Sequence, residues 1–157
     1  MYAIRPWLLI GAYAETHDPA LLAAHEVRAM LQLAEPVLQP GVASLYVAVD
    51  DGAPIPPAAL ADGLAFVRRA READDAVLIA CGAGVRRSVA FAAAALTEAE
   101  GLGVLDAVSA VRAQHPAAQP HYQLLASLCA YYGEAASTEA LVRAWTGHSL
   151  RRVCKAG

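Results

Sequence analysis

A lone cysteine, Cys81, stands at the end of the apolar run 77–80 and opens the segment Gly82, Ala83, Gly84, Val85, Arg86, Arg87, Ser88, with a helix-forming stretch directly behind it. A thiol at a strand end can be a small buried hydrophobe. The residues after it point to chemistry. A short loop between strand and helix lets backbone N–H groups converge on an anion, to which the helix N-terminus adds its positive end. Gly82 and Gly84 allow the chain to curl that tightly. Arg87 adds a planar fork able to hold two oxygens of a phosphate dianion. The same amides and dipole lower the pKa of Cys81, which gives the thiolate that nucleophilic attack requires. One loop thus serves phosphate binding and activation of the nucleophile.

The elements that must position this loop follow from the pattern of apolar residues. Strands are expected over 3–10, 27–33, 44–49 and 77–80, the last wholly apolar and so suited to the middle of a parallel sheet. A helix is expected across "DPALLAAHEV", opened by its Asp-Pro start, and another over 57–72, where Leu60, Leu64 and Val67 recur at helical spacing. Further helices are expected over 88–100, closed by the glycines of "GLG", and over 104–113, 121–132 and 138–146. Strands dominate the first half and helices the second, which predicts a single α/β domain: a central sheet with helices packed on it. Residues 1–150 form that domain and 151–157 a basic tail.

Composition bounds the function. The 157 residues are 57% hydrophobic and 17% charged, with a net charge of −3, so the broad basic field used by nucleic-acid and membrane-surface binders is lacking. Three cysteines without CxxC spacing suggest neither a disulfide framework nor a zinc knuckle, and a reducing cytoplasm suits them. The opening "MYAIRPWLLIGAYAET" imitates a signal peptide but is too short for one, and reads as a strand. No apolar run approaches the roughly 18 residues of a membrane span, and a soluble monomer is expected. His17, His25, His115, His121 and His148 show no metal-ligand spacing and read as surface or capping groups. Cys129, one turn after Leu125, belongs on an apolar helix face.

The loop resembles the signature C-x5-R of the cysteine-dependent protein tyrosine phosphatases and, in "CGAGVRRS", the HCxxGxxRS form of their dual-specificity branch. The similarity runs from "IRPWLLIGAY" through "LYVAVDDGAP" to "AVSAVRAQHPAAQPHYQLLASLCAYY". It implies a mostly parallel, twisted sheet flanked by helices. It also implies that Cys81 attacks phosphorus to form a phosphocysteine, that Arg87 and the amides of residues 82–87 hold the equatorial oxygens, and that Ser88 assists departure of the thiolate. No metal or cofactor is implied. An aspartate some thirty residues before the cysteine is the implied general acid. Asp51, 30 residues ahead of Cys81, is preferred to its neighbour Asp50, and both also suit an ordinary Asp-Gly turn. Arg86 fills a variable position at the loop mouth and reads as solvated. Gln119, His121 and Tyr122 fall where the family often braces these loops.

The implied substrate is a phosphorylated protein or peptide, carrying phosphotyrosine with phosphoserine or phosphothreonine also admitted. Two alternatives stand beside it. One is a phosphate-binding module with little or no turnover, supported by Ala80 where the family carries histidine; the other is a phosphatase of a non-protein phosphoester. A rhodanese-like sulfurtransferase fits less well, because its loop usually has four residues rather than five between cysteine and the closing basic position.

Overall fold

The run of apolar residues before Cys81 needs cover on both faces, and it lies at the centre of a five-stranded sheet. A computed structural model describes residues 1–147. The strands are β1 (Tyr2–Arg5), β2 (Leu8–Ala12), β3 (Val27–Gln32), β4 (Ala43–Tyr46) and β5 (Ala76–Cys81). Their order is β1-β2-β5-β3-β4, parallel throughout except for the antiparallel pairing of β1 with β2. The helices are α1 (Pro19–Ala24), α2 (Pro57–Glu72), α3 (Arg87–Glu100), α4 (Val104–Gln114), α5 (Tyr122–Tyr132) and α6 (Thr138–Thr146). The tail 151–157, Cys154 and His148 lie outside the described residues.

Alternation along β5 divides the interior in two. Val77, Ile79 and Cys81 face the main core, which they share with residues of α2, α3, α4 and α5. Leu78 and Ala80 face a smaller cluster with Leu9, Leu22, Val27 and Met30, beneath α1. α3 is the central helix: every residue from Ser88 to Leu96 is buried, and Gly101 closes it in a left-handed conformation, as "GLG" suggested.

Two expected strands are shorter than their sequences suggest. The segment 3–10 is a hairpin rather than one strand, because Pro6 lacks the N–H a ladder needs and fixes its own φ; Tyr2 faces Ile10 and Ala3 faces Leu9 across it. The 44–49 stretch is β-paired only as far as Tyr46. Among the described residues β4 is an edge strand whose sole neighbour, β3, ends at Gln32, and Val47 N–H makes the last bond, 2.9 Å to the Gln32 carbonyl. Val47 and Val49 then leave the sheet and turn into the main core. α1 is also shorter than expected. It begins with the Asp18 carboxylate accepting the Leu21 N–H at 2.9 Å and stops before Glu26, whose φ is 54°.

α2 and α3 approach closely through Gly63, where a Cβ would lie 2.6 Å from the buried Phe91 ring. Alanine is the better helix former by about 1 kcal/mol, yet overpacking costs about 1–3 kcal/mol. Gly63→Ala is therefore expected to lower stability in urea unfolding. In a Phe91→Leu background the same change should cost much less, and an equal cost in both backgrounds would show that the contact is not responsible.

Candidate active site

The carboxyl ends of β2, β5 and β3 lie side by side, with Ala12 paired to Cys81 and Gln32 to Ala80. Parallel sheets place ligand sites at this edge, where the strand order switches direction. The loop 82–86 leaves β5 here and runs into the N-terminus of α3. It borders a cleft of about 300 Å³ lined by Asp51, Cys81, Gly82, Ala83, Val85, Arg86 and Arg87.

The shape of the loop is set by where its carbonyls go. Gly82 C=O accepts the Tyr13 N–H at 3.1 Å, Gly84 C=O is 2.8 Å from His115 Nε2, and Val85 C=O accepts the Gln119 N–H at 2.7 Å. In a trans peptide the N–H points opposite to the C=O, so these three outward bonds turn the N–H groups of Ala83, Val85 and Arg86 inward. Gly84 is confined further. Its φ is +73°, and a Cβ on it would lie 2.8 Å from the Gly11 backbone, so no other residue fits there without moving β2.

Cys81 is buried, with its Sγ 3.2 Å from the Ser88 hydroxyl. Burial pushes the thiol pKa up, but the Ser88 hydroxyl and the backbone N–H groups of Ser88, Arg86 and Gly84 outweigh it and hold the pKa below the ordinary thiol value. The Arg86 N–H is among those turned inward by the braces. Ala80, one residue earlier, faces the opposite side of the sheet and takes no part.

Arg87 is clamped from behind. Its Nη1 donates to the carbonyls of Leu33 at 2.7 Å and Val49 at 2.8 Å, joining the ends of the β3 and β4 segments. The Gln32 side chain closes the turn that presents Leu33, bonding both the N–H and the C=O of Val37. Arg87 Nε is buried and has no hydrogen-bond partner among the described residues. Nη2 lies under the loop, 3.5 Å from where a Cβ on Gly82 would be. The fork thus has one nitrogen anchored and a buried donor still unmatched, in an arginine that lines the same cleft as Cys81.

Of the two aspartates, Asp51 lines the cleft and Asp50 does not. Asp51 Oδ2 is 3.1 Å from Arg86 Nη1, and both side chains are about half exposed. The Arg86 guanidinium is therefore paired across the mouth rather than simply solvated, and Arg86 serves the loop through its N–H. Beyond Asp51, Ile55 is buried and its N–H is held by Ser127 Oγ at 2.9 Å, which ties this segment to α5.

The reading of His115 as a surface or capping group is corrected: the ring is buried and bonded to the loop. Its only local cue was its place before Pro116, where a helix must end. Gln119 does brace the loop, through its backbone, while His121 caps α5 by accepting the Gln123 N–H. Cys129 is buried in the main core, as its spacing indicated. Among the described residues no group of three or more His, Cys, Asp or Glu is placed to hold a metal ion.

The chain is 36% identical over 70 residues to the dual specificity protein phosphatase Mpk3 of Drosophila melanogaster, covering 45% of this chain and 17% of the fly protein. It is 27% identical over 132 residues to dual specificity protein phosphatase 19 of Mus musculus, covering 82% of this chain and 60% of the mouse protein. It thus spans less than two thirds of the length of either relative. A crystal structure of human DUSP28 superposes with a TM-score of 0.79 at 28% identity, over 85% of this chain and 96% of the human one. No protein-family model matches the chain.

The lowered thiol pKa has a direct readout in the rate of iodoacetate alkylation against pH. Because the thiolate reacts, reactivity is present above the folded pKa and lost as pH falls through it. The Cys81 midpoint is expected below the free-thiol value of about 8.5, and Ser88→Ala should move it upward by removing the hydroxyl. A midpoint at or above the free-thiol value would contradict this electrostatic account of the loop.

Proposed function

We propose that this chain, which belongs to the dual-specificity branch of the cysteine-dependent phosphatases, hydrolyses phosphotyrosine in proteins, and phosphoserine or phosphothreonine as well, through a phosphocysteine intermediate. The observation that carries this reading is the Arg87 clamp: Nη1 is held by two carbonyls, Nε is buried and unmatched among the described residues, and the arginine lines the same cleft as a thiol of lowered pKa. A buried polar group without a partner is costly, so the site is organised for an anion that supplies one.

In the first step the Cys81 thiolate attacks phosphorus in line, and the bond from phosphorus to the leaving oxygen breaks. Asp51 gives that oxygen its proton. Arg87 and the inward N–H groups take up the charge on the three equatorial oxygens, the task that dominates phosphoryl transfer. In the second step Asp51 accepts a proton from water as the water attacks the phosphocysteine. The sulfur–phosphorus bond breaks, the Ser88 hydroxyl steadies the returning thiolate, and inorganic phosphate leaves. No metal takes part in this scheme.

The Arg86 pair supports the choice of Asp51, since it carries the carboxylate over the cleft, whereas Asp50 is outside the lining. An exposed ion pair contributes only about 0–1 kcal/mol, so Asp51 can leave Arg86 for a leaving oxygen. A cleft of about 300 Å³ suits both short and aromatic phosphorylated side chains. Ala80 is compatible with turnover because the groups that lower the thiol pKa all come from the loop and α3.

With chelator present, the protein is expected to hydrolyse an aryl phosphate and phosphotyrosine peptides, and Cys81→Ser to abolish turnover while still binding phosphate. Full activity in Cys81→Ser, or an absolute need for added metal, would overturn the mechanism; turnover of phosphoinositides but of no phosphopeptide would move the substrate class.

For the acid, Asp51→Ala should lower kcat by about 10²- to 10⁴-fold, most for substrates with poor leaving groups. Asp50→Ala should do far less. Reversed effects would move the assignment one residue.

A further inference from the structure

His115 is the one histidine of the described residues that is fully buried, at 1% exposure, and it sits at the C-terminal end of α4, outside the catalytic groups assigned above. Its ring is stacked on Tyr2 with centroids 3.7 Å apart and planes 18° apart. Its Nε2 lies 2.8 Å from the Gly84 carbonyl oxygen, while its Nδ1 is buried without a partner among the described residues. A carbonyl only accepts, so Nε2 carries the proton and donates. The ring is thus a donor fixed by packing.

The carbonyl it holds belongs to the peptide between Gly84 and Val85. That peptide is trapped on its other flank by the Gly11 backbone, which leaves no room for a Cβ at Gly84. Anchoring the oxygen on the protein side directs the Val85 N–H toward the cleft, because the two groups of a trans peptide are antiparallel. The neighbouring carbonyls of Gly82 and Val85 are held by backbone N–H groups, whose positions the fold dictates. The Gly84 carbonyl alone of the three depends on a side chain, and so on the identity of one residue.

We infer that His115 is a positioning residue for anion binding: its Nε2–H holds the Gly84 carbonyl away from the site and thereby aims the Val85 N–H at the phosphate. This rests on the phosphate-loop reading above but does not require turnover. It is tested by protection of Cys81 from iodoacetate by inorganic phosphate, a binding measurement independent of catalysis. His115→Phe keeps a ring against Tyr2 and removes the donor, whereas His115→Gln restores an N–H. The protecting phosphate concentration should rise about tenfold in His115→Phe, the size of one ordinary hydrogen bond, and return most of the way in His115→Gln. If His115→Phe does not fold, His115→Gln compared with His115→Met, matched in length and differing in the donor, gives the same contrast. Equal protection in donor and donor-free variants would overturn the inference, since packing alone would then explain the residue. Wild-type protein that phosphate does not protect would overturn both this and the phosphate-loop reading. Protection without hydrolysis of any phosphoester would sink only the catalytic reading.

Discussion

A loop whose N–H groups converge on one point has to dispose of its carbonyls in the opposite direction, and each buried carbonyl needs a donor there. Around Cys81 those donors come from three separate parts of the chain: Tyr13 after β2, His115 at the end of α4, and Gln119 before α5. The remaining geometry follows from that requirement. β2 has to run beside β5 so that the Tyr13 N–H reaches Gly82, and Gly84 has to be glycine because its backbone lies against Gly11. The connection from α4 to α5 must pass behind the loop, although it lies some thirty residues further along the sequence.

Arg87 extends the same logic to the other side of the site. As the first residue of α3 it sits where the helix dipole favours an anion, and its guanidinium reaches back to the Leu33 and Val49 carbonyls. Those two carbonyls come from chain segments that have just left the sheet, so a single side chain satisfies orphaned acceptors and is itself orientated by them. The loop and the arginine are therefore each held by bonds to parts of the chain outside the cleft lining. Preorganisation of this sort lets fixed dipoles act on developing charge without reorganising.

The mouth of the cleft is held much more lightly. Asp51 and Arg86 are half exposed and joined by one ion pair, while the base of the Asp51 segment is fixed through Ile55 and Ser127. The rim is thus tethered by exposed groups, while the segment behind it is fixed to α5. Ala80 takes no part at either level. Its side chain belongs to the small cluster under α1, and the thiol's electrostatics come from the loop that follows it.

The sequence by itself determined what depends on short range. The wholly apolar run before Cys81, the helical period of Leu60, Leu64 and Val67, the glycine stop at Gly101 and the cysteine, glycines and arginine of the loop each state their local structure or chemistry within a few residues. Pro6 could have announced the β1–β2 turn, but the apolar residues on both sides of it read as one strand. The end of β4 at Tyr46 had no local signal at all, because it is set by where the neighbouring strand stops. The same holds for the site. Cys81, Arg87 and Ser88 were visible from spacing, whereas the pairing of Asp51 with Arg86, the clamp on Arg87 and the bond from His115 to Gly84 join residues 31 to 54 positions apart. Such partners are chosen by which buried carbonyl or charge lacks a match once the chain is packed. Only the tertiary structure decides that.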